Sequence, residues 1–231
     1  KEVWKTKETK IAESEDPKLG DAKKRGILME AISAMVLLLA GADVLIMCDS
    51  DQFPDFELAK GDLTQKPFFK SSFDFLYERR MQGKVTVIGA PYCGPPPHEN
   101  VYVFQPATYE SDNPNVDHRI EGFRREEVVR RVGFEEVIAL PTGLIMFDMK
   151  VFEVIPHPYF DYEYEGDGPP CRHCGQPKPG KRTHKASTED VVATRDMAMI
   201  CCHKLGYNPV YVNWDAWAGH WKPKCVGKPT E

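Results

Sequence analysis

Residues 43–49 read DVLIMCD, five consecutive apolar side chains closed at both ends by aspartate. A strand with one wet face alternates apolar and polar residues. An unbroken apolar run of strand length is the pattern of a strand covered on both faces, between helices. The preceding residues 21–40 are good helix formers that become more apolar toward the end, and Gly41 suits a helix stop. Helix followed by doubly covered strand predicts an α/β fold with a mostly parallel central sheet flanked by helices.

The rest of the chain extends this pattern. A helix is predicted over residues 69–82, a strand at KVTVIGA (84–90), a Pro-rich loop at PYCGPPPHEN (91–100) and a strand at VYVFQ (101–105). The segment REEVVRRVGFEEVIALPTGLIMFDMKVFEVI (125–155) reads as a helix, a strand pair bent around Pro141, Thr142 and Gly143, and a short helix ending before Pro156. STEDVVATRDMAMICCHKLG (187–206) reads as a helix capped by Ser187 or Thr188 and stopped by Gly206. PVYVNW (209–214) is the last predicted strand. Residues 1–20 are dense in charge and broken by Pro17 and Gly20, as in an exposed arm or connector, leaving residues 21–231 as a single domain. The chain starts at Lys1 with no signal-peptide pattern, which points to an N-terminal part that is absent or has been cleaved.

Composition narrows the function classes. With 42% hydrophobic and 11% aromatic residues, 231 residues can bury a sizeable core. Thirty basic against 35 acidic residues, without long single-sign blocks, excludes a general electrostatic binder of nucleic-acid duplexes. No apolar run reaches the roughly 20 residues of a membrane span. The seven cysteines are odd in number and partly embedded in apolar runs, which argues against a disulfide framework. The expectation is a soluble, cytoplasmic protein.

The aspartates that follow the first strand, Asp49 and Asp51, fall where ligands bind in parallel α/β sheets, just beyond a strand's carboxyl end. Two carboxylates one residue apart can share a hard divalent cation. The plain alternative is a turn before Pro54, since Asp and Ser are common turn formers.

Four segments in one order weigh against the plain alternative: ADVLIMCDSDQFP, LPTGLIMFDMKVFEVI with PYFDYEY, the helix start STEDVVATRDM, and the closing WAGH. Together they resemble family-2-type glycosyltransferases of the GT-A fold, from about Gly26 to the C-terminus. The resemblance implies that Asp49 and Asp51 bind a metal and the diphosphate of a nucleotide-sugar donor, and that Thr142 and Gly143 support the sugar pocket. It also implies that Asp190, with Glu189 as the weaker candidate, supplies the base, and that His220 completes the metal shell. The metal would be Mn²⁺ or Mg²⁺, with a nitrogen ligand tilting the choice slightly toward Mn²⁺. The acceptor would be a glycan, protein or lipid-linked hydroxyl, and the transfer inverting. Trp214 and Trp217 are candidates to stack on sugar faces, with ordinary core burial as the alternative.

The chain departs from that family in one respect. Members begin with a strand, helix and strand that cradle the nucleotide base, and nothing before Asp21 reads as such a unit. Either part of the N-terminal nucleotide-binding half is lacking, or the base is held differently. Two rival functions follow. One is a carbohydrate-binding or assembly protein that keeps the scaffold without catalysis. The other is a haloacid-dehalogenase-type phosphatase, which also places Asp-x-Asp at a strand end but wants Thr or Val two positions after the second Asp; here Gln52 and Phe53 follow Asp51.

A Gly/Pro/basic insert at residues 166–186 contains Cys171 and Cys174 in a C-x-x-C knuckle, with His184 ten positions on. A structural Zn²⁺ could order such a loop, with His173, Cys201, Cys202 or His203 as fourth ligand. Free thiols or a disulfide are the alternative. Cys201 and Cys202, inside an apolar helix, read as core residues.

Overall fold

A computed structural model describes residues 41–95, 100–106, 120–156, 159–160, 163–164, 185–187, 189–221, 225–226 and 228. The chain divides into two units, Lys1–Asp43 and Val44–Glu231. The predicted helix at 21–40 and the insert with Cys171, Cys174 and His184 lie outside the described residues.

The second unit runs β1 (Val44–Cys48), β2 (Gln52–Phe53), α1 (Phe56–Ala59), α2 (Phe68–Met81), β3 (Val87–Gly89), β4 (Phe104–Pro106), β5 (Ile120–Gly122), α3 (Arg125–Val128) and β6 (Phe134–Glu136). It continues with β7 (Leu144–Asp148), α4 (Val151–Val154), β8 (Glu163–Tyr164), β9 (Lys185–Ser187), α5 (Glu189–Leu205), β10 (Val210–Asn213), β11 (Gly219–Trp221) and β12 (Cys225–Val226). The central sheet has five strands in the order β1-β7-β3-β10-β6. Small sheets pair β12-β11-β2, β4-β5 and β8-β9.

The fold is mixed α/β, but the expectation of a mostly parallel sheet is corrected. Only β3 and β10 pair in parallel; β1–β7, β7–β3 and β10–β6 are antiparallel. Two strands are responsible: β7, which enters between β1 and β3 against the direction of both, and β6, which runs against β10 at the end of the sheet. The strand pair expected around Pro141–Gly143 is also not a pair, since β6 lies beside β10 at one end of the sheet and β7 beside β1 at the other. Without β7, the directions of β1, β3 and β10 agree, as expected of strands linked by helical crossovers.

Burial follows the pleat. On β7, Ile145 and Phe147 face one apolar cluster with Val87, Val210, Val212 and the α5 residues Met197, Ala198 and Cys201. Leu144 and Met146 face the other, with Ile88, Tyr211 and the α2 residues Phe68 and Leu76. Period-two alternation thus splits the core between α5 on one face and α2 on the other. The doubly covered strands of the described sheet are β3, β7 and β10, every residue of which is buried. β1, whose sequence suggested that role, is outermost, with Ile46 45% exposed. At the end of β7, Asp148 is buried and meets Arg80 of α2 through Nη2 at 3.0 Å and Nε at 3.3 Å, a forked pairing that joins helix to sheet.

Candidate functional site at the sheet edge

Strand directions decide where the chemistry gathers. β1, β3 and β10 all end at one edge of the sheet, and β7 starts there because it runs the other way. The segments that follow Cys48, Gly89 and Asn213 and the one that precedes Leu144 are therefore neighbours. Asp49 extends the β1–β7 ladder by one bond, its N–H donating to the Gly143 carbonyl at 2.8 Å. Past β10 the chain passes through Trp214–Ala218 to β11, which pairs with β2 so that His220 lies opposite Gln52.

This pairing brings Asp51 to His220. The Trp221 N–H donates to the Asp51 carbonyl at 2.7 Å, and His220 Nε2 lies 3.4 Å from Asp51 Oδ2. His220 Nδ1 lies 2.8 Å from the Cys93 carbonyl. A carbonyl only accepts, so Nδ1 carries a proton and a neutral ring turns the Nε2 lone pair toward Asp51. A lone pair against a carboxylate is repulsive. Positive charge between them, from a second ring proton or a bound cation, resolves it. The ring packs against Tyr92 at 5.1 Å and Tyr102 at 6.3 Å between centroids.

Tyr92 joins the remaining candidates. Its hydroxyl stands close against Gly143, and Asp190 and Asp49 are both near enough to act on it electrostatically. Burial, then the charges of Asp190 and Asp49, hold its pKa well above the ordinary phenol value, so the hydroxyl keeps its proton at neutral pH. A β-carbon added at Gly143 would stand 2.5 Å from that oxygen, so close approach rather than backbone freedom makes glycine necessary here. Asp190 lies in the first turn of α5. Its Oδ2 accepts the Thr142 N–H at 3.2 Å, and its Oδ1 accepts the Val191 N–H at 2.9 Å. Asp49, Asp51, Thr142, Gly143, Asp190 and His220 thus lie along one edge, with Tyr92 among them. Sequence reasoning missed Tyr92, because an aromatic residue in a Pro-rich loop carries no motif.

Other expectations are placed differently. Trp217 is fully buried, stacked obliquely on the equally buried Trp214 at 5.8 Å, so neither ring is presented to a ligand. Among the described residues the exposed tryptophan is Trp221, four residues on. Glu189 opens α5, and nothing is described of its side chain. Cys201 is buried, which pushes its thiol up to about 11, as befits a core residue; Cys202 is exposed, contrary to expectation.

For a cation the donor set is partial. Among the described residues no group of three or more His, Cys, Asp and Glu side chains is gathered to hold a metal ion, so Asp49 does not complete a triad with Asp51 and His220. The pair alone suits a hard ion that takes its other ligands from phosphate oxygens and water, as Mg²⁺ and Mn²⁺ commonly do. Among the described residues no helix is long and apolar enough to cross a membrane.

No known family model matches the chain, and no curated protein matches it. Among solved structures the chain is similar to the crystal structure of A197 from STIV, at 14% identity and a TM-score of 0.45, over 89% of this chain and 76% of that one. A likeness this distant bears on neither activity nor substrate.

Proposed function

We propose that the chain is a metal-dependent glycosyltransferase of GT-A type that moves a sugar from a nucleotide-diphosphate donor to an acceptor hydroxyl with inversion. One observation carries the reading: the residues that the family resemblance singles out, scattered from position 49 to 220, lie along a single sheet edge. In this reading Asp51 and His220 would hold Mn²⁺ or Mg²⁺, which would supply Lewis-acid stabilisation for the negative charge of the departing diphosphate. Asp49 contributes from the strand end, where its backbone is fixed to Gly143. The Tyr92 hydroxyl, still protonated, can donate to a ligand oxygen. Asp190 takes the proton of the acceptor hydroxyl as that oxygen attacks the anomeric carbon from the side opposite the leaving group. Its two backbone hydrogen bonds fix the carboxylate in place for that role.

A second reading, a saccharide-binding or assembly protein on the same scaffold, is favoured by the lack of a three-ligand cluster among the described residues. Thermal shift with a panel of UDP- and GDP-sugars, with and without Mn²⁺, separates the two. Transfer predicts Mn²⁺-dependent stabilisation that Asp51→Asn abolishes. Asp190→Asn should keep that stabilisation and lose about 10²–10⁴-fold in kcat. No response to any nucleotide sugar would sink the proposal, as would an Asp190→Asn variant with unchanged kcat.

A further inference from the structure

Two large aromatic side chains stand in solvent beside the Asp51–His220 pair. Phe53 is 47% exposed and Trp221 is 55% exposed, and their rings contact at 6.2 Å between centroids with planes 54° apart. The strands hold them there. With Gly219 opposite Phe53 and His220 opposite Gln52, Phe53 lies on one face of the β2–β11 ribbon and Trp221, one residue past His220, falls on that face too, while Asp51, in the turn before β2, reaches His220 with its carboxylate. Gln52 and His220 occupy the other face and are buried, and there His220 packs on Tyr92 and Tyr102. The Trp221 N–H on the Asp51 carbonyl ties the exposed ring to the backbone of the acidic residue itself.

The Asp51–His220 pair therefore has two unlike flanks. One leads through Tyr92 to Gly143 and Asp190, polar and suited to a sugar and a proton transfer. The other is an exposed aromatic surface with a π-face to offer. A nucleotide sugar has the same division, with a diphosphate between a polar hexose and a flat, π-rich base.

We propose that Phe53 and Trp221 form the stacking surface for the base of a nucleoside diphosphate whose phosphates lie at Asp51 and His220. This rests on the proposed use of a nucleotide donor and adds where the base goes. Stacking is tolerant of base identity, because every base has a π-face, so the surface selects nucleotides over bare phosphates more than one base over another.

The test compares UDP, GDP and ADP with inorganic pyrophosphate, at fixed Mn²⁺, by calorimetry on the full chain. The expected result is that at least one nucleoside diphosphate binds tenfold or more tighter than pyrophosphate. Trp221→Ala should erase most of that ratio while leaving pyrophosphate affinity unchanged, and Trp221→Phe should keep it. Both substitutions are at an exposed position, and an unchanged melting temperature verifies the fold. The proposal is overturned if the ratio is near one, if Trp221→Ala leaves it intact, or if neither nucleotides nor pyrophosphate bind. The outcomes also separate this idea from the one beneath it. Sugar turnover with a ratio insensitive to Trp221 removes the stacking surface alone; a Trp221-dependent ratio without turnover of any nucleotide sugar keeps the surface and removes the transferase.

Discussion

Gly143 shows how narrow the tolerances are at single residues. Its missing side chain lets the Tyr92 hydroxyl approach the strand, and the two aspartates that bear on that hydroxyl come from opposite ends of the sequence. Gly143→Ala should force Tyr92 aside, costing about 1–3 kcal/mol as over-packing does. Nucleotide-sugar affinity should fall with it. Urea unfolding alongside binding measures both, and a variant equal to the wild type in each would show that the contact carries no weight. That Asp49 follows a strand end and Asp190 opens a helix was legible in the sequence, because their neighbours specify those elements. Tyr92 was not legible, since nothing around it in sequence reveals that β7 will turn back beside it. Trp214 and Trp217, offered for stacking on sugars, are buried for a similar reason. Burial of an aromatic residue is set by what packs over it, which a local string does not state.

Among the elements, helices and their ends were read well: α2 spans Phe68–Met81 where 69–82 was expected, and α5 stops at Leu205 before Gly206, whose φ of +78° is that of a left-handed cap. Strand direction was not read. LIMFD is as apolar as any parallel strand, and an apolar run carries no arrow. The loops between elements are tied by polar contacts that sequence also hides. Asp215, after β10, accepts from Lys66 Nζ at 2.7 Å and from the Gly133 N–H at 2.8 Å, linking the approach to α2 with the approach to β6. Burial alone would raise its pKa, but the Lys66 and Gly133 bonds outweigh that and hold it below the ordinary 3.8. Because the folded pKa is depressed, this contribution to stability is complete above about pH 4 and is lost as the pH falls through the folded value. Asp215→Asn should therefore cost about 1–2 kcal/mol at pH 7, Lys66 being largely exposed. The gap between variant and wild type should narrow as the pH falls below the ordinary carboxylate value and through the lowered folded one in urea titrations. A gap independent of pH would refute the linkage.

Across the second unit as a whole, one sheet separates two apolar clusters, so neither face can be lost without uncovering the other. Phe147→Ala on the α5 side and Leu76→Ala on the α2 side, both at sites with essentially no exposure, should each cost about 3–5 kcal/mol. Each should unfold in a single transition, with the emission of the buried Trp214 and Trp217 moving together with far-ultraviolet circular dichroism. Separate transitions for the two probes would mean that the faces melt independently. At this scale the α/β class was legible from helix and strand alternation, whereas the mixed sheet was not. The difference matters to the site, because a parallel strand would bring its last residues to the working edge and β7 instead brings its first.

The reversed strand leaves the far edge of the sheet with the turns that lead into β3 and out of β7, among them the exposed tip at Gly83, whose φ is +72°. Such a tip is a natural graft point. A fluorophore, affinity handle or surface tether inserted there would hang from the end remote from Asp51 and His220, so an immobilised molecule should present its working edge to the solution.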